Sequence, residues 1–262
     1  MRVFFLGSRS YHEVLRLQED IFKIKIDRQM CRLRGDSEVP LVPYTVLLVE
    51  HSVPVFTVGR RDTRDGIRAN CATEVVSTRR GGGVTFHGPG QVTMYPIVNV
   101  QLLWKRSRAA NKHRSPIEWF SAVLEQAMID VAQHYGVPTH RGRVGVWSDQ
   151  WLDVAPRKLG FIGLQLGNWV SMHGAGFNVC NDLRYFDDIV MCEMPGETAT
   201  SLVEEMRLRR IDGEAPTAGD VAPLLFKRFV SNLYQDGGST PPAIVDLSAD
   251  DGWDLRSHYG VD

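Results

Sequence analysis

The chain has 262 residues, with 30 Lys+Arg against 31 Asp+Glu, 43% hydrophobic and 23% charged residues. That balance fits a soluble globular chain with a real core. It excludes a protein that wraps nucleic acid by bulk positive charge. No apolar run approaches the roughly 20 residues of a membrane span, so neither nucleic acid nor membrane is an expected partner.

Arg2 to Leu6 reads as a strand, so no signal or transit peptide is expected ahead of it. Val14, Leu17, Ile21 and Ile24 then recur at helical spacing, predicting a helix from about Tyr11 to Arg32. Asp36 to Pro43 is a polar loop. Thr45–Glu50 and Val55–Gly59 are β-branched strands split by Pro54, Asp62–Thr73 is loop-like, and Val75–Thr78 and Val92–Val100 are strands. Ser115-Pro116-Ile117-Glu118 is a capping box with Pro at the first helical position. Ile117, Phe120, Leu124, Ala127, Met128 and Val131 are expected to line the core face of that helix, which Gly136 and Pro138 stop. Val144–Trp147, Leu159–Leu166 and Val170–Val179 form a second strand cluster, turning at Gly167-Asn168. Asp182–Asp188 is a short helical turn, and a last helix runs from Ala218 to Tyr234. The expected fold is a single α+β domain over residues 1–235, with mixed β-sheets flanked by helices. Residues 236–262 read as an acidic, Gly/Pro-rich extension. Six Asp and one Arg give that tail −5, whereas Arg60–Arg114 holds eleven Lys/Arg and three acids, or +8.

The four cysteines, 31, 71, 180 and 192, form no Cys-x-x-Cys pair, so no disulfide scaffold and no metal site are expected. The densest signal is Arg79 to Gln91, with Gly81, Gly82, Gly83, Gly88 and Gly90 around Val84-Thr85-Phe86-His87. It reads as a loop whose free N–H groups can face an anion or a developing oxyanion. It matches neither a phosphate-binding P-loop nor a dinucleotide fingerprint. A second constellation comprises Lys158, Gly163, His173-Gly174-Ala175-Gly176 and Cys192. Lys158 opens an apolar strand, where a half-desolvated amine can take a proton, and Cys192 sits in a turn where reactive thiols occur. On spacing alone, a strand-end Lys is more often a snorkelling surface residue and a lone Cys more often core. Cys180 is the rival nucleophile and is expected to pack in the core. His87 and His173 are expected to hold loops or position substrate carbonyls rather than transfer protons, and His51 to be structural.

Arg80-Gly81-Gly82 through His87-Gly88-Pro89-Gly90-Gln91 and Tyr95 resembles the signature of the lipoyl(octanoyl) transferases, of the biotin/lipoate protein ligase-like superfamily. Leu48 to His51, Pro54 to Gly59, Gly145-Val146-Trp147, Lys158 to Gly163, His173 to Val179, Asp182-Leu183, Phe186 and Cys192 keep the family's order. The resemblance covers about residues 2 to 235. It implies transfer of an octanoyl (or lipoyl) group from acyl carrier protein to a lysine of lipoyl domains of 2-oxoacid dehydrogenases or of glycine-cleavage H protein. No further cofactor is implied, and a monomer is expected. By position, Cys192 is the nucleophile that becomes an acyl thioester and Lys158 its base. Arg80, Gly81, Gly82, Gly83, Val84, Thr85, Phe86 and His87 are expected to line the acyl pocket with Phe161, Ile162 and Gly163, and with His173, Gly174, Ala175 and Gly176. Three departures stand out: Met191-Cys192-Glu193 replaces Pro-Cys-Gly, Phe161 replaces a small residue and narrows the pocket, and Ser148–Arg157 is longer. An ATP-dependent lipoate or biotin-type ligase and a non-catalytic carrier-binding module are the alternative readings. A mitochondrial matrix location is expected, with the cytoplasm as the alternative if the chain is bacterial.

Overall fold

The computed structural model describes residues 1–61, 64–69, 71–107, 112–191, 194–234 and 245–246. Cys192 and Glu193 lie outside the described residues, as does the 236–262 extension except for 245–246.

β1 (Arg2–Arg9) enters α1 (Tyr11–Leu33) at Ser10. The Ser10 side chain accepts from Glu13 N–H, and the Glu13 carboxylate accepts from Ser10 N–H at 3.2 Å, so two orphan helix donors are satisfied. Four strands follow: β2 (Thr45–His51), β3 (Val55–Val58), β4 (Glu74–Ser77) and β5 (Val84–His87). Next come β6 (Gln91–Ile97), α2 (Val100–Arg106) and α3 (Pro116–His134). The chain continues through β7 (Thr139–Arg141), β8 (Val146–Ser148), β9 (Lys158–Gly167) and β10 (Val170–Asn178). It ends with α4 (Leu202–Arg209), α5 (Ala218–Tyr234) and β11 (Val245–Asp246).

The large sheet has the order β11-β1-β2-β6-β10-β9-β8-β7, and the small one β4-β3-β5. β1 runs parallel to β2 and β11, and β3 parallel to β4; the other pairs are antiparallel. β2 reads as a continuous apolar run because both faces of the sheet are covered. Its Val46 and Leu48 pack with Phe120 and Leu124 of α3 and Phe229 of α5; Leu47 and Val49 pack with Val14, Leu17 and Ile21 of α1. A third core fills the small sheet, where Phe56, Val58, Val84 and Phe86 meet Phe161 and Phe186. No helix of the described residues is long and apolar enough to cross a membrane.

Several local expectations are corrected. Ser115 Oγ accepts from Glu118 N–H, but the Glu118 carboxylate reaches Arg114 N–H at 2.9 Å rather than Ser115. Ile117 is 45% exposed, because the buried stripe runs through Trp119, Phe120 and Val123 instead. The strand expected to reach Val100 ends at Ile97, since Asn99 Oδ1 caps α2 by accepting from Leu102 N–H. Val144 is exposed and its strand starts at Val146. The Arg79–Gln91 motif is not one loop: β5 runs through its middle, paired with β3.

Candidate active site

β5, β6, β9 and β10 enclose a pocket with about 410 Å³ of empty space, part of it open to solvent. Strand alternation decides which motif residues face it. From β5, Thr85 and His87 border the pocket, while Val84 and Phe86 turn into the small-sheet core. Arg80, Gly82, Phe161, Ile162, Gly163, His173, Gly174, Ala175 and Gly176 also border it, as expected of them; Gly81, Gly83, Val84 and Phe86 do not. Thr93 and Tyr95 of β6 are lining residues the sequence reading missed. Their signal was the two-residue period continuing past the end of the glycine motif.

Arg80 is buried, and its guanidinium is spent on the protein itself. It donates to Thr57 O (2.6 Å), Thr57 Oγ1 (2.9 Å), Gly83 O (2.8 Å) and Gly81 O (3.0 Å), tying the triple glycine to β3. Gly82 has φ +89°, the left-handed region glycine takes without steric cost. The Gly81 N–H donates to Leu164 O, so this amide is not available to a ligand as the loop reading had supposed. Opposite, a Cβ on Gly163 would lie 2.9 Å from Arg80 Cδ; the two sheets meet there backbone to side chain.

Lys158 is fully buried, where a snorkelling strand-end lysine would be exposed. Its Nζ lies 5.3 Å from the Trp147 ring centre and 5.2 Å from that of Phe161, whose ring stacks on Phe186. Lys158 N–H donates to Thr198 O and its carbonyl accepts from Thr200 N–H, both at 2.9 Å, so the segment following Cys192 is held against β9. Glu125 of α3 was not anticipated from sequence. Burial pushes its carboxyl up, partly offset by the Gly145 N–H that it accepts at 2.8 Å and by the nearby cations Arg141 and Lys158.

Beneath the pocket runs a buried chain of amides. Thr200 O can only accept, so the Asn178 atom facing it at 2.9 Å is Nδ2. Asn178 Oδ1 therefore accepts from Gln91 Nε2 (2.9 Å), which also donates to Phe86 O (3.0 Å). Gln91 Oε1 is left to accept from His87 Nδ1–H at 2.8 Å. His87 stacks on Tyr11, with ring centres 5.8 Å apart. Burial above all, then His51, holds the His87 pKa well below 6.5; His51 and His173 are lowered to about 4, also chiefly by burial. His87 is then a neutral ring bonded to Gln91 through Nδ1 and bordering the pocket. His51 bonds Tyr95 OH through Nε2 at 2.9 Å and keeps its structural role. His173 sits in β10 with φ +59°, a conformation costly for a side-chain-bearing residue, held by its N–H donating to Gln18 Oε1 at 3.1 Å.

Cys180 is exposed, not core, and burial of its surroundings followed by the Glu50 charge pushes its thiol up, away from the thiolate a nucleophile needs.

The family model for the lipoyl protein ligase A/B catalytic domain matches residues 21–230. The chain belongs to that family. An octanoyltransferase of Christiangramia forsetii is 34% identical over 88% of this chain and 94% of its own length. The mitochondrial octanoyl-(acyl-carrier-protein):protein N-octanoyltransferase LIPT2 of Danio rerio is 31% identical over 77% of this chain and 80% of its own. Among solved structures, a bi-partite lipoate protein ligase of Thermoplasma acidophilum aligns over 99% of this chain and 90% of its own, at TM-score 0.59 and 12% identity, a likeness of fold. The expected mixed-sheet, lipoate-ligase-like architecture is therefore observed.

Proposed function

We propose that this member of the lipoyl protein ligase A/B family is an octanoyltransferase of protein lipoylation. It takes an octanoyl group from acyl carrier protein onto Cys192 and passes it to a lysine of a lipoyl domain or glycine-cleavage H protein. The observation that carries this reading is the adjacency of a buried amine, Lys158, and a pocket that share the Phe161 ring. Relatives at 31–38% identity carry the octanoyltransferase name and support the same reaction.

The chemistry is consistent with these parts. A thioester-to-thioester exchange is nearly isoenergetic and aminolysis of the acyl-Cys runs downhill, so the cycle requires no nucleotide. Lys158, buried beside the pocket, is the group that takes the Cys192 proton. Ile162, Phe161 and the glycine-rich walls receive the acyl chain, each buried methylene contributing about 0.8 kcal/mol. The exposed Arg60 and Arg61 beside the small sheet offer cations to an acidic carrier, an attraction that weakens with salt. The compartment follows the organism: mitochondrial, as in the name of the zebrafish relative, or cytoplasmic in a bacterium.

Intact mass spectrometry after mixing with octanoyl-acyl carrier protein, without ATP, tests the reading. Wild-type protein gains one octanoyl group and Cys192→Ala does not. Transfer that appears only with ATP and survives in Cys192→Ala would identify an adenylating ligase instead.

A further inference from the structure

A second pocket, with about 1100 Å³ of empty space partly open to solvent, lies where α1 meets the 41–44 segment, α2 and the end of α5. It shares no lining residue with the pocket between β5, β6, β9 and β10. Three cations line it, Lys25 and Arg28 of α1 and Arg106 of α2, and no Asp or Glu does. Lys25 is only 6% exposed. Its Nζ donates to Val42 O at 3.0 Å and Pro43 O at 2.5 Å, and lies 5.6 Å from the centre of the Tyr44 ring. An ammonium has three N–H groups, so one is left over from these two carbonyls. A buried cation is ordinarily paired with a carboxylate. Among the described residues neither Lys25 nor Arg106 has such a partner. Burial first, then Arg2, lowers the Lys25 pKa from 10.5 to about 7.

The rest of the wall is largely apolar. Leu41 and Leu102, 64% and 45% exposed, line it with Val42, Val170 and the rings of Tyr44 and Tyr234. An inorganic anion would answer the cations and leave the leucines in water. A neutral hydrocarbon would cover the leucines and leave the cations unanswered. We propose that this pocket binds a monoanionic amphiphile, a free carboxylate on a medium-length apolar chain, its head taken by Lys25, Arg28 and Arg106 and its chain by Leu41, Leu102 and Val170. A carboxylate accepts from the remaining Lys25 N–H and matches the planar fork of an arginine. The inference does not depend on the transferase reading, which uses none of these residues.

Isothermal titration of the full chain with octanoate, octanol and inorganic phosphate tests it. Octanoate is expected to bind at least tenfold more tightly than octanol, which lacks the charge, and than phosphate, which lacks the chain. Arg106→Glu reverses an exposed cation outside the core and is expected to weaken octanoate at least tenfold. The groups around Lys25 are Arg2, the Met1 amine, Arg28, Tyr44, Arg106 and Tyr234. Burial raises both tyrosines, Tyr234 to about 12, so Lys25 and the Met1 amine are the groups that change charge near neutral pH. Above its folded value, Lys25 must regain a proton to meet the carboxylate, so wild-type affinity is expected to fall about tenfold between pH 8 and pH 9. Lys25→Met keeps the stem and is expected to flatten that slope; a slope set by the Met1 amine would persist. Octanoate held in the first pocket is unaffected by either variant and remains as the residual binding. No binding of octanoate, equal binding in wild type and both variants, or equal affinity for octanol or phosphate would overturn the proposal. The transferase reading is decided separately, by the mass of the acyl adduct.

Discussion

Lys158 Nζ lies 5.2 Å from the centre of the Phe161 ring, three residues further along the same strand, and Phe161 borders the pocket. The proposed base and the proposed acyl slot share a wall. Lys158→Met keeps the aliphatic stem between Trp147 and Phe161 and removes the amine. Adduct formation is expected to fall by about 100-fold or more, the scale of a lost proton-transfer group, with a melting temperature within a few degrees of wild type. Retained adduct formation would remove Lys158 from the chemistry.

Phe161→Ala is expected to act on both stability and acyl choice. It deletes a ring that stacks on Phe186 at 5.4 Å, at a cost of about 3–5 kcal/mol. It also opens the pocket, so competition between octanoyl and longer donors should shift toward the longer chain. Unchanged competition would show that Phe161 does not set the bore.

Arg80→Lys exchanges a fork that reaches three residues for a single ammonium. Four carbonyl and hydroxyl contacts cannot all be replaced, and a loss of about 2–4 kcal/mol in urea unfolding is expected. The KM for the acyl donor should rise as the triple glycine loosens from β3. A variant as stable as wild type would show that the glycine turn needs no staple.

His51 and His173 have folded values of about 4, below their ordinary 6.5. Above pH 6.5 both folded and unfolded chains hold them neutral. Between 6.5 and 4 the unfolded chain binds protons that the folded one refuses, so stability falls as pH drops through that window. At pH 5 the loss is about 2 kcal/mol for each ring, and the urea midpoint should be lower at pH 5 than at pH 7.5. His51→Gln should flatten the slope; an unchanged slope would exclude His51 as its source.

Cys180 is exposed and Cys192 is the proposed nucleophile. Cys180→Ser should retain the octanoyl adduct in full, and Cys192→Ser should lose the thioester. The reverse pattern would exchange their roles.

The elements with strong periodicity were readable from sequence, and those defined by tertiary partners were not. α1 and α5 fall on the expected residues because their apolar faces recur at 3.6 and Ser10 caps the first. The β9–β10 hairpin was announced by Gly167-Asn168. β5, by contrast, is four residues between glycines, and only pairing with β3 makes it a strand. α4 was missed because its surface is mostly polar, with Leu202 and Met206 its buried apolar contacts. At the site, the family motif located the glycines, His87 and Lys158, but not what surrounds them. The full burial of Lys158 depends on Trp147 arriving from the neighbouring strand β8 and on Phe161 three residues along β9 itself. The Gln91–Asn178 bond joins residues 87 apart in the chain, a distance no spacing rule crosses.

The glycine walls of the pocket limit how its substrate range can evolve. A methyl group on Gly174 would lie 2.1 Å from Met94 O, on Gly163 2.9 Å from Arg80 Cδ, and on Gly176 3.0 Å from Gln91 Oε1, the atom that orients His87. Each of these positions resists enlargement from behind the wall, so substitution there disturbs the machinery before it reshapes the cavity. On the proposed function, variation in acyl preference is expected at Phe161 and Ile162, the pocket-lining side chains that can be shortened. Drift in chain length and loss of activity are in this way assigned to different residues of the same strands.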